Sequence, residues 1–258
     1  MKIKRVVALA AIFLFSATAS ADELEWTHYD QEKWGATHDS SQTTPPLMYP
    51  FAVCSIGQHQ SPVDLASASV SNKLNKLRIH YPPDVPAFYN SGHGVQVNFS
   101  EHYDGRLSVG HEAYPLIQLH FHEPSEHVIG SRKFPAELHF VHVREDGKIA
   151  VLGVLIEIGE ENPVFQSILE NIPYTGGESN QTANLRIHPE KLLPRNTRHF
   201  YTVAGSLTTP PCSEGVDWYI LSNIITVSES QLVQLKSFYA DNARQPQALN
   251  DRVVAEKR

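Results

Sequence analysis

The sequence predicts a mainly β (α+β) single domain with short peripheral helices. Three features predict it. Apolar and polar residues alternate with a period of two over several separate stretches. Helical patterns are few and short. Seventeen prolines and 14 glycines fall mainly between the alternating stretches. At 258 residues the chain is long enough for one large core or two small domains. No internal repeat and no Gly-, Ser- or Pro-rich linker divides it, so one domain is expected over residues 22–258.

The N-terminus reads as a leader. Lys2, Lys4 and Arg5 precede an apolar run from Val6 to Phe15, and small residues follow to Ala19-Ser20-Ala21. That run is shorter than the roughly 20 residues a bilayer-spanning helix needs. A signal peptide over residues 1–21, cleaved after Ala21, therefore fits better than an uncleaved anchor, and it predicts a periplasmic or secreted protein. Without the leader, 18 basic residues face 28 acidic ones, a formal charge of −10. This balance argues against nucleic acid or an anionic membrane as partner and leaves a small neutral or anionic substrate open. No later segment is apolar for long enough to cross a membrane.

From Asp22 to about Gln60 the chain reads as irregular, broken by Pro45-Pro46 and Pro50. Strands are predicted over Val95 to Phe99, Leu116 to His122 and Ala136 to Val143, each alternating. The longer apolar run from Ile149 to Ile158 suits a strand buried on both faces. Asn162-Pro163 caps a predicted helix over Val164 to Glu170. Ser228 caps another running to Tyr239, with Leu232, Leu235 and Phe238 as its apolar stripe. Two cysteines, Cys54 and Cys212, lie 158 residues apart; in an exported chain they suggest a disulfide, the alternative being two buried thiols.

The segment Gln118-Leu119-His120-Phe121-His122 carries the chemistry. Residues two apart in a strand project to the same side, so His120 and His122 can share one ion. In the next alternating stretch Glu137, His139, Val141 and Val143 share one face, while Leu138, Phe140 and His142 share the other. Placing the two strands side by side brings His139 opposite the pair. Three imidazoles with a fourth position left for water is the pattern of a catalytic zinc site. Gln118 and Glu137 lie on the ligand faces, where each can accept the free ring N–H of a ligand and fix its tautomer. One H-x-H pair alone is as easily an ordinary edge-strand feature; the third histidine and two polar neighbours make the metal reading the stronger. His120, His122 and Glu126 also fit the first half of a cupin metal motif. The glycine-punctuated second half is missing around His139.

Taken together, the segments Gly57 through Leu65, Asn90-Ser91-Gly92-His93, Gln118 through His127, Ala136 through His139 and Gly205 through Pro211 resemble the α-class carbonic anhydrases, over about Trp26 to Arg252. That family is the reference case for a three-histidine zinc site. The resemblance implies a large twisted, mostly antiparallel sheet of about ten strands. It also implies Zn2+, one per chain, on His120, His122 and His139, where zinc lowers the pKa of bound water from 15.7 to about 7 and the resulting hydroxide attacks carbon dioxide. Thr208 would accept from that hydroxide and donate to Glu126, and Thr209 is the neighbouring active-site threonine. Val141, Val151, Leu207, Val216 and Trp218 would line the substrate pocket. His93 would shuttle protons, with Tyr29, Ser91 and Gln96 ordering its water network; serine and glutamine replace the asparagines frequent at the last two positions. A Cys54–Cys212 bond would tie the threonine loop to the N-terminal segment. Carbon dioxide and bicarbonate are the implied substrates, sulfonamides and anions the implied inhibitors. Bacterial relatives often form homodimers, although no motif here specifies one. A catalytically silent binding protein of the same family is the remaining alternative, against which the intact ligand set and Thr208 argue.

Overall fold

The computed structural model describes residues 26–39 and 44–258; the expected leader lies outside the described residues. In chain order the strands are β1 (Ser69–Val70), β2 (Leu77–His80), β3 (Ala87–Asn90), β4 (Val95–Asn98), β5 (Arg106–Val109), β6 (Glu112–His122), β7 (Ala136–Val143), β8 (Ile149–Ile158), β9 (Ser179–Asn180), β10 (Phe200–Ser206), β11 (Glu214–Val227) and β12 (Ala255–Lys257). The helices are α1 (Val53–Ile56), α2 (Pro163–Leu169) and α3 (Glu229–Phe238), with 3-10 turns at His28–Ala36 and Pro189–Leu192. Among the described residues, twelve strands form one sheet. Its main path is β1-β12-β10-β11-β8-β7-β6-β4-β3-β9, and β5, which pairs with β2, joins the first half of β6. Pairings are antiparallel except β1 with β12 and β8 with β11. The sheet is thus mixed but mostly antiparallel.

The period-two stretches became strands because each has two different faces to satisfy. In β7, Leu138 and Phe140 enter the larger core with Leu119, Phe121, Leu152 and Val154. Val141, on the opposite face, joins a second cluster with Val151, Val216, Trp218 and Ile220. Fully burying side chains of this size contributes about 1.5–3 kcal/mol each. A one-residue slip of register would exchange the two faces along the whole strand. The apolar run in β8 is buried on both sides, feeding Leu152 and Val154 to one cluster and Val151 and Leu155 to the other. Gly153 sits directly across from His139, where a Cβ would come within 3.1 Å of Glu137 Oε1. Its lack of a side chain makes room for that carboxylate.

Both predicted helices form. Asn162 Oδ1 accepts from the Val164 and Phe165 N–H groups at the start of α2. Ser228 and Gln231 make a reciprocal capping box on α3, whose Leu232 and Leu235 enter the larger core. The N-terminal region is more ordered than its prolines suggest. Its 3-10 turn buries Trp34, whose indole N–H donates to the Thr27 carbonyl (2.8 Å). The longest strand, β11, was not among the predicted elements. Ser222 and Asn223 interrupt its alternation, and its register against β8 shifts at that place.

Candidate metal centre

Strands β6 and β7 set three imidazoles face to face. His120 is the cross-strand partner of His139, and His122 follows two residues later on the same face. The ring centroids lie 4.7–5.1 Å apart. Each ring is held by an oxygen that can only accept. The His120 Nδ1–H donates to Gln118 Oε1 (2.8 Å), the His122 Nδ1–H to the Asn242 carbonyl (3.0 Å), and the His139 Nε2–H to Glu137 Oε1 (2.9 Å). These partners fix the tautomers. The remaining lone pairs, on His120 Nε2, His122 Nε2 and His139 Nδ1, then converge.

This geometry suits a cation. His120 Nε2 and His139 Nδ1 are 3.3 Å apart, the separation of two ligands at about 2.0–2.1 Å on a tetrahedral zinc. His122 Nε2 is buried without a hydrogen-bond partner, and so is Glu126 Oε2, 3.4 Å away. Burial, reinforced by the neighbouring histidines, holds the His120 pKa well below its ordinary value, and burial lowers that of His122. Both rings are therefore neutral and free to ligate. Their nitrogens, with that of His139, all fall within 4.8 Å of one another. The donor set fits zinc.

Glu137 does more than hold a candidate ligand. It is fully buried, which alone would raise its pKa, yet His127 and His139 hold it well below the carboxylate range. Its Oε1 accepts from His139 and from His127 Nδ1–H (2.8 Å); its Oε2 accepts from the backbone N–H groups of Glu126 (3.0 Å) and His127 (2.8 Å). One carboxylate thus fixes the third imidazole and the turn that carries Glu126.

The expected pocket residues pack beside the His139 ring. Val141, Val151, Val216 and Trp218 are buried in one cluster against which Leu207 packs, and the Trp218 ring lies 4.8 Å from that of His139. Thr208 is buried and Thr209 half-buried, in the turn between β10 and β11. Cys54 and Cys212 are disulfide-bonded, joining that turn to α1. The expected Thr208–Glu126 hydrogen bond is not made among the described residues. Glu126 Oε1 takes the Arg244 backbone N–H (2.8 Å), while Oε2 faces the imidazoles.

His93 lies on the β3–β4 turn, its ring stacked on Trp26 at 4.2 Å. Ser91 Oγ donates to the Gly94 carbonyl (2.9 Å) and accepts from the His93 N–H (3.2 Å), so it builds the turn. Gln96 pairs across from His120 and donates to Asn98 Oδ1. The expected place of Tyr29 needs correction. Tyr29 is 83% exposed, whereas His28 is half-buried, its ring against those of Trp34 and His93. Burial, then the charge of His122, lowers the His28 pKa to about 4, and its Nε2 is buried without a partner. Successive side chains in a 3-10 turn point about 120° apart, so an offset of one residue exchanges inside for outside. Sequence reasoning also missed Asn242 and Arg244, which reach the centre from far along the chain and carry no local signal.

A family model described as eukaryotic-type carbonic anhydrase matches residues 46–258. The carbonic anhydrase of Neisseria gonorrhoeae is 38% identical over 96% of this chain and 96% of its own length. That of Nostoc sp. is 34% identical over 93% of this chain and 89% of its own. Among solved structures, the α-carbonic anhydrase of Thermovibrio ammonificans in complex with the inhibitor sulfanilamide superposes with a TM-score of 0.81 at 35% identity, covering 90% of this chain and 99% of that one. The Photobacterium profundum α-carbonic anhydrase gives 0.77 at 34% identity, covering 87% and 95%.

Proposed function

The chain belongs to the eukaryotic-type carbonic anhydrase family, whose reaction is the reversible hydration of carbon dioxide, and we propose that it works with one zinc ion held by His120, His122 and His139. Membership displaces the cupin alternative. The observation that carries the zinc reading is the convergence of three imidazole lone pairs, each aimed by a hydrogen bond on the far side of its ring. Bound zinc supplies hydroxide at neutral pH for addition to carbon dioxide.

The rest is the work of side chains. Val141, Val151, Leu207, Val216 and Trp218 offer uncharged carbon dioxide an apolar wall beside the imidazoles. Thr208, with Thr209 next to it, offers a hydroxyl from the β10–β11 turn, and Glu126 can accept a hydrogen bond from it through the unpaired Oε2. The hydroxyl then orients the reacting oxygen by accepting from it. Hydration releases a proton, which His93 carries to buffer from its exposed turn. Ser91 shapes that turn, Gln96 borders it, and His28, in the place expected of Tyr29, faces the path. A sulfonamide, as its anion, would occupy the same centre, as would small anions. The disulfide accords with an exported protein, and no helix among the described residues is long and apolar enough to cross a membrane.

Stopped-flow carbon dioxide hydration, paired with metal analysis and a His139→Ala control, tests this reading. Fast hydration with one zinc per chain, lost in the variant, is the expected result. A zinc-loaded but inactive protein would reduce it to a binding role, and iron or manganese in place of zinc would overturn the metal assignment.

A further inference from the structure

Asn242 joins the ligand strand to the turn that carries His93. It is 4% exposed, and all its polar groups are engaged. Its backbone carbonyl accepts from His122 Nδ1–H, and its backbone N–H donates to the Glu123 carbonyl (3.1 Å). The side-chain Oδ1 accepts from the Glu123 N–H (2.8 Å). The side-chain Nδ2 donates to two carbonyls, that of Phe121 (3.2 Å) and that of His93 (3.0 Å). The amide orientation is unambiguous, because two acceptors lie on one side and a donor on the other. From beyond, Gly94 closes on the same nitrogen: a Cβ there would stand 3.1 Å from Asn242 Nδ2.

These contacts separate into two tasks. The main chain of Asn242 supports a metal ligand. Its side chain brackets that ligand through the Phe121 carbonyl and the Glu123 N–H, and fastens the His93 turn to the same end of β6. We propose that the Asn242 amide is a positioning residue for proton transfer, holding His93 at a fixed distance from the centre. The inference rests on the proton-carrying reading of His93. Proton transfer depends steeply on the geometry of the path. Loss of the bond to the His93 carbonyl should therefore slow the proton step.

The test uses the full zinc-loaded protein with Asn242→Asp, Asn242→Ala and Gly94→Ala. Asn242→Asp keeps the acceptor for Glu123 but turns an oxygen toward the two carbonyls. Gly94→Ala crowds the amide from the opposite side without altering residue 242. A misplacement of about 1 Å can cost up to about 100-fold, so we expect kcat to fall about 5- to 20-fold in all three variants, with kcat/KM held within about twofold in Gly94→Ala, which leaves the support of His122 in place. Oxygen-18 exchange should show the same split: proton-dependent release of labelled water slows, and carbon dioxide–bicarbonate interconversion does not. Imidazole in solution should restore most of the lost kcat. Amide hydrogen exchange over residues 91–96 should quicken, a readout independent of activity. Parallel loss of kcat and kcat/KM with loss of zinc would overturn the proposal, leaving Asn242 as ligand support only. So would unchanged kcat in folded Asn242→Asp and Gly94→Ala proteins when His93→Ala lowers it. If His93→Ala itself leaves kcat unchanged, the carrier reading falls and the proposal with it.

Discussion

Strand β7 carries two buried histidines three residues apart, and they do opposite work. His139 projects to one face and His142 to the other. His139 gives its Nε2–H to Glu137 and turns Nδ1 toward His120. His142 gives its Nδ1–H to the Ala150 carbonyl (3.1 Å), and its Nε2 meets the Tyr81 hydroxyl (2.8 Å). Burial does not distinguish them. What differs is the second nitrogen: in one ring it faces other lone pairs, in the other it is satisfied by a proton donor. A ligand histidine is recognised by what its remaining nitrogen lacks.

The sharpest way to break this contrast is to remove each ring. His139→Ala should weaken zinc binding by more than about 100-fold, the upper range for losing an outer partner, and abolish hydration. Unfolding should change little beside that. His142→Ala should do the reverse. It opens a cavity in the larger core and strands the Tyr81 hydroxyl and Ala150 carbonyl, costing about 3–5 kcal/mol in urea unfolding while zinc content is retained. If both variants lost zinc equally, the division of labour across β7 would be wrong.

Cleaving the disulfide comes next in size. Replacing Cys54 and Cys212 together by serine should lower stability by about 2–4 kcal/mol and make the Thr208 turn more accessible to proteolysis. A protein that kept both its melting temperature and its activity would contradict this.

The same contrast has a pH signature. Burial lowers the His142 pKa from 6.5 to about 3. Between those values the unfolded chain binds a proton that the native state refuses, so stability rises with pH across the window and falls on acidification. At pH 5 the loss is about 2 kcal/mol from this residue alone, and His142→Gln should flatten that slope. The smallest effect should come from Gln118, a half-buried partner whose ring bond solvent can replace. Gln118→Ala should weaken zinc binding about tenfold, measured by chelator competition, against up to about 100-fold for Glu137→Gln.

What the sequence made legible follows the same division. The face of β7 that carries His139 could be read because parity in an alternating strand fixes which residues project together, and Glu137 came with it. His142 was assigned to the opposite face by the same rule. Asn242 and Arg244 could not be read. They approach from a segment without regular structure, and one of them acts on the His122 ring through a backbone carbonyl, which any residue type provides. His28 was missed for a different reason: the resemblance assigned the inward role to Tyr29, and in a 3-10 turn an offset of one residue decides which side chain points inward. The longest strand, β11, was hidden by its own interruption at Ser222 and Asn223.

The parallel pairing of β8 with β11 has a consequence for how the molecule assembles. All three candidate ligands lie on β6 and β7, neighbours in sequence that pair after closing a short loop. The apolar wall needs Val151 beside Trp218, across a far longer stretch of chain. Short loops cost less entropy to close, so the ligand strands can pair before the wall exists. Zinc offered early in refolding would meet the three imidazoles as an open patch on a nascent sheet. Zinc offered late would have to enter a finished cleft, so capture should be faster the earlier the ion is supplied.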